Sequence, residues 1–64
     1  MLKKEDLEQF INKEIKIFLK SSRIYTGKII TIEGDTIKFI DKFNKLVLID
    51  LNNISEIVER GDEQ

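Results

Sequence analysis

From residue 14 the chain reads Glu-Ile-Lys-Ile-Phe-Leu-Lys, then a short polar turn, then a run to Glu33 broken only by Gly27. In the first run Ile15, Ile17 and Leu19 fall on one side while Lys16 and Lys20 fall on the other, the period-two alternation of a half-buried strand. Ser21-Ser22-Arg23 is the turn. Ile24 to Glu33 resumes as a second strand rich in β-branched residues, and its ten residues exceed the usual strand length. A glycine inside such a strand marks a place where it coils sharply or where another backbone comes close. Together the two runs predict a small, strongly bent β-barrel, in which one long curved strand serves both halves of a closed sheet.

The same patterning extends to both sides. Leu7, Phe10 and Ile11 follow helical i, i+3, i+4 spacing, and Glu5, Asp6 and Glu8 suit early helical turns, so a short helix is predicted over residues 3–12 with Asn12 ending it. Its apolar stripe is expected to cap one open end of the barrel. Glu33-Gly34-Asp35 supplies a tight turn into a third strand, Thr36 to Asp41, with Ile37 and Phe39 inward. Lys42-Phe43-Asn44-Lys45 turns the chain into Leu46 to Asp50, a strand apolar on both faces, which argues that its outer face is covered too. Leu51-Asn52-Asn53 reads as one 3₁₀ turn, Ile54 to Glu59 as the last strand, and residues 60–64 as a mobile tail. The fold class is therefore mainly β: a short N-terminal helix plus a five-stranded, strongly bent barrel over residues 14–59. The expected core is Ile15 or Ile17 with Leu19, Ile29, Ile37, Phe39, Leu48, Ile54 and Ile57.

Length changes what this fold must do. With 64 residues the chain is one domain with a thin core, and chains below roughly 70–80 residues need disulfides, a metal or oligomerisation for comfortable stability. Cys and His are both absent, which removes disulfides and zinc sites and leaves oligomerisation or an unusually regular core. No apolar run approaches the ~20 residues of a membrane span, and the start lacks a signal-peptide apolar core, so a soluble cytoplasmic protein is expected, with no cofactor and no membrane partner. Without His or Cys, and with no Ser in a recognisable nucleophile setting, an enzyme is not expected. Glu33 and Asp35 flank a glycine as turn-formers, and their spacing with Asp41 does not make a metal site.

Charge is uneven along the chain although the net value is −1. Residues 13–45 carry a net +4 and residues 46–64 a net −4. Such asymmetry fits a basic nucleic-acid face with an acidic tail. It equally fits a solvated lysine face with charge complementarity between subunits.

The order of helix, four strands, 3₁₀ turn and fifth strand is the plan of an SH3-like small barrel. More narrowly, residues 5–59 resemble the Sm-like superfamily, which includes the Sm and LSm proteins and bacterial Hfq. Ile17-Phe18-Leu19 stands in the place of Hfq's Ile-Tyr-Leu, and Tyr25-x-Gly27-x-Ile29 in that of the family's apolar-x-Gly-x-apolar. Ile32-Glu33 replaces its Phe-Asp, and Ile54-Ser55 the Ile-Ser that opens the last strand. The resemblance implies a homo-oligomeric ring, formed by pairing the fourth strand of one subunit with the fifth of the next, and binding of single-stranded RNA. Val47, Ile49 and Ile57 are then the candidate interface residues, since they would otherwise leave apolar edges exposed.

Glu33 keeps the family's uridine-binding acid. Gly34 and Asp35 replace Hfq's glutamine and stacking aromatic, and Leu51 and Asn52 replace its Lys-His pair. What remains for RNA is generic: Lys16, Lys20, Arg23, Lys28, Lys38, Lys42 and Lys45 for phosphates, with Tyr25 and Phe43 as stacking platforms. The ordinary alternative is a solvated lysine face with Phe43 tucked over the barrel end, on a protein-interaction or assembly module that binds no nucleic acid.

Overall fold

Alternation of apolar and polar side chains fixes which face of each strand turns inward. The computed structural model describes residues 2–60. Helix α1 spans Lys4–Glu8, followed by β1 (Glu14–Leu19), β2 (Ile24–Glu33), β3 (Thr36–Asp41), β4 (Leu46–Asp50), a 3₁₀ turn (Leu51–Asn53) and β5 (Ile54–Glu59). The last four strands and the 3₁₀ turn lie where the pattern predicts. Each hairpin reverses through one residue in left-handed backbone: Ser22 (φ 77°), Gly34 (φ 62°) and Asn44 (φ 65°). Glycine and asparagine adopt that conformation at low cost.

All five strands pair antiparallel in one sheet of order β4-β3-β2-β1-β5. β2 spans both halves: its first residues pair with β1, from Ile24 opposite Phe18, and its last pair with β3, up to Glu33 opposite Thr36. Gly27 belongs to both ladders, opposite Ile15 on one side and Asp41 on the other. A Cβ placed there would lie 2.0 Å from the Ile40 carbonyl oxygen and 2.8 Å from the Asp41 Cα. The glycine is thus required by the close approach of the β3 backbone. A register shift between Ile29 and Thr31 adds a bulge just beyond it, and bulges increase local twist.

The sheet coils but does not close, which corrects the expected closed barrel: β4 and β5 are its two edges. Two hydrogen bonds hold the connection between these edges. The Leu51 N–H donates to the Asp35 carbonyl at 2.8 Å, and the Lys20 N–H donates to the Asn53 carbonyl at 2.7 Å. The 3₁₀ turn is therefore anchored at one end to the β2–β3 turn and at the other to the end of β1. It carries the chain from one half of the sheet to the other, and the strands on either side of it diverge to opposite edges.

Between the halves lies the core of Leu7, Ile15, Ile17, Leu19, Ile29, Ile37, Phe39, Ile49, Leu51 and Ile54. Ile15 and Ile17 both belong to it. Leu48 does not: it is 61% exposed, while Ile49 beside it is buried. A strand apolar on both faces does not declare its own parity, and a one-residue slip exchanges the faces. Pairing decides it, because Ile49 lies opposite the buried Ile37 and Leu48 opposite the outward Lys38. Ile57 is only half-buried, packed against the core from β5.

The helix is shorter than expected. Beyond Glu8 the chain tightens, the Phe10 and Ile11 amides bonding three residues back to Leu7 and Glu8. Asn12 then turns left-handed (φ 70°) and donates to the Ile29 carbonyl at 3.0 Å, beside a parallel bridge from Ile11 to Ile29. Only Leu7 of the apolar stripe is fully buried; Phe10 and Ile11 pack at its margin. Arg60, expected in a mobile tail, continues beside β1, its N–H on the Glu14 carbonyl at 3.0 Å and its guanidinium 3.8 Å from the Glu14 carboxylate. The rest of that tail, residues 61–64, lies outside the described residues.

Candidate nucleic-acid interface

The β3–β4 turn is built by one carboxylate. Asp41, the last residue of β3, accepts the Phe43 and Lys45 backbone N–H groups on Oδ1, both at 2.9 Å. This Asx-type arrangement satisfies turn amides that no strand partner reaches. It also fixes the direction in which Phe43 leaves the backbone. Phe43 does not tuck over the end of the sheet: it is 70% exposed. The Lys42 ammonium lies 5.4 Å from its ring centroid, within cation–π range.

Tyr25 comes to the same place from β2. Its ring meets Phe39 edge-on, with centroids 6.4 Å apart, so its inner edge belongs to the core while its hydroxyl accepts a hydrogen bond from the Arg23 guanidinium at 3.2 Å. Between Tyr25 and Phe43 runs a cleft of about 430 Å³, lined also by Lys16, Ile24, Asp41 and Lys42. Volumes of this order are those of small-molecule sites. Two aromatics and two lysines on one cleft supply stacking surface and positive charge together, the combination that holds single-stranded nucleic acid without reading its sequence.

The other candidates divide. Lys16, Tyr25, Lys42 and Phe43 line the cleft, with Arg23 attached through Tyr25. Lys28 lies on the far side of Asp41 and Lys42, lining a neighbouring depression with them. Lys45 sits in the same turn as Phe43, its backbone bound to Asp41. Lys20 is elsewhere, in a depression with Leu2, Leu51 and Ser55 that contains no aromatic. Glu33 and Lys38 pair with each other at 3.3 Å. Such exposed pairs contribute about 0–1 kcal/mol, and this one partly neutralises the charge Lys38 would offer a phosphate.

The interface candidates divide as well. Ile49 uses its side chain in the core, and Val47 and Ile57 are half-buried against it. What β4 presents outward is Leu46 and Leu48, 59% and 61% exposed. The sequence reading missed those two, and it missed Asp41 as the organiser of the aromatic turn. The signal for Asp41 was present: an aspartate two residues before an unpaired turn amide is a turn-former.

Among the described residues no group of three or more Asp or Glu side chains is placed to hold a metal ion, and no helix is long and apolar enough to cross a membrane. Comparison with known proteins finds no match, whether with family models, curated proteins or solved structures.

Proposed function

We propose that this chain is a cytoplasmic, Sm-like scaffold without enzymatic activity that forms a homo-oligomeric ring and binds single-stranded RNA weakly through the Tyr25–Phe43 cleft. The observation that carries the reading is Phe43 itself. Its ring is 70% exposed, its backbone amide is held by Asp41, and Lys16 and Lys42 line the same cleft, which offers a nucleobase a stacking surface beside positive charge. The Sm-like assignment is supported by the strand order and the bent second strand. Ring formation is supported by the two free edges and by outward Leu46 and Leu48. Fluorescence anisotropy with labelled twelve-nucleotide poly(A) and poly(U) tests the RNA claim. Saturable binding should weaken log-linearly with salt and be lost in Lys16→Glu/Lys42→Glu; absence of binding at low-salt micromolar concentrations rejects it.

One observation favours a second reading, a protein-interaction or assembly module that binds no nucleic acid. Leu46 lies opposite Ile40, and Leu48 one row further along, giving the outer face of β3 and β4 an apolar character that suits a protein partner. Failure of RNA binding together with retained self-association would favour it.

A further inference from the structure

The aromatic cleft has a neighbour. A depression of about 350 Å³ lies across the Asp41–Lys42 corner from it, and both clefts are lined by those two residues. Gly27, Ile30 and Ile40 make its wall apolar, and Lys28 lines it too. Its existence follows from the fold. The bulge after Ile29 leaves Ile30 out of the ladder and 46% exposed, while the side-chain-free Gly27 lets β3 come close.

We infer that the two clefts are consecutive nucleotide subsites on one RNA strand. A base stacks on Phe43 and Tyr25 in the first, the next nucleoside packs against Ile30 and Ile40 in the second, and Lys42 between them neutralises the linking phosphate. The inference rests on the RNA-binding reading above and deepens it. Each volume falls within the range of roughly 300–1,000 Å³ that holds a small ligand, so each has room for one nucleoside. Shared lining at Asp41 and Lys42 makes the clefts adjacent, as successive nucleotides require.

Charge selects the occupant. Lys16 lines one cleft, Lys28 the other and Lys42 both, and among the described residues none of the three forms a salt bridge. Both acids that line the clefts have partners: Asp41 Oδ1 accepts two turn amides, and Glu14, in the second cleft, lies 3.8 Å from the Arg60 guanidinium. A backbone carrying one negative charge per nucleotide fits three ammonium groups set around the two clefts, of which Lys42 also lies over the Phe43 ring. The larger depression near Lys20, about 530 Å³, offers a single cation and no aromatic ring.

Anisotropy titration of 5′-labelled A12 and U12 with the full chain and single variants tests this. Phe43→Ala and Ile30→Ser should each weaken the better-bound RNA roughly tenfold, the loss of one stacked or packed nucleoside. Lys42→Ala should weaken binding and reduce the log–log salt slope by about 0.7, one phosphate's share for a single strand. Lys4→Ala, on the helix, should change nothing. Lys28→Ala, at an exposed position, repeats the test of the second cleft should Ile30→Ser lower the folded fraction. Binding weakened by Phe43→Ala but unchanged by both Ile30→Ser and Lys28→Ala overturns the two-subsite inference and leaves the RNA reading standing. A wild-type chain that binds neither RNA overturns both.

Discussion

The two halves of the sheet bury similar side chains and dress their outer faces differently. Around β1 and β5 the outward cross-strand rows each include a charge: Lys28 beside Glu14, Lys16 between Thr26 and Val58, and Glu56 beside Phe18. Its edge strand, β5, carries Glu56 and Glu59. Around β3 and β4 the rows run Lys28–Ile40–Leu46 and Thr31–Lys38–Leu48, so the edge strand ends each of them with an exposed leucine. Charged edges are the usual protection against unwanted strand pairing. One edge carries charge along its length, whereas β4 carries it only at its end, at the exposed Asp50 opposite Thr36, so β4 is the less protected of the two edges.

Breaking the core of that half should have the largest effect. Phe39 is fully buried, supports Tyr25 edge-on and lies between Ile29 and Val47. Phe39→Ala should cost about 3–5 kcal/mol, enough to unfold most of a domain this small at 37 °C, as read by thermal or urea denaturation followed by circular dichroism. Gly27→Val acts on the junction between the halves. Its Cβ would fall against the Ile40 backbone, and overpacking against a partner that cannot rotate away costs about 1–3 kcal/mol. If Gly27→Val melts with the wild type, β3 does not approach the β2 backbone as closely as described.

Asp41→Ala should come next. It removes the acceptor for two turn amides, with an expected loss of about 1–3 kcal/mol at roughly 0.5–1.5 kcal/mol per bond. Its sharper consequence is for Phe43, whose direction the turn sets. If the RNA reading holds, affinity should fall more than stability at a temperature where the variant remains folded. Equal RNA affinity in Asp41→Ala and wild type would separate the turn from the site.

Much of the fold was legible because its elements are short and cleanly alternating. β2 to β5 announce themselves by β-branched runs between turn residues, and Gly27 announced the close approach. Closure was not legible, because whether β4 meets β5 depends on how a three-residue 3₁₀ turn is anchored to Asp35 and Lys20, contacts far apart in sequence. The parity of Leu46 to Ile49 had a single polar marker, Asp50 at the end of the strand, which shares the outer face with Leu46 and Leu48, and four consecutive apolar residues before it masked the alternation. For the candidate site, the residue types were visible but their grouping was not. Phe43, Tyr25, Lys16 and Lys42 meet only because β2 pairs with both β1 and β3, which joined them into one cleft and left Lys20, Glu33 and Lys38 elsewhere.

Leu48→Lys should have the smallest effect on stability and the most selective one on assembly. Leu48 points outward opposite Lys38, so its replacement empties no core space, and the folded monomer should change by no more than about 0.5 kcal/mol. A second lysine beside Lys38 adds like-charge repulsion in the row and puts a charge in the middle of β4, where only Asp50 at its end carries one. If β4 is the self-association edge, sedimentation velocity at high micromolar concentration should show an oligomer for the wild type and a smaller species for Leu48→Lys, with matching melting curves at low concentration. Glu56→Lys on the opposite edge provides the reciprocal test, because head-to-tail pairing of β4 with β5 would be weakened from either side, whereas β4–β4 pairing would ignore the change on β5. A wild-type chain that sediments as a monomer would remove self-association altogether and leave the exposed leucines to a different protein partner.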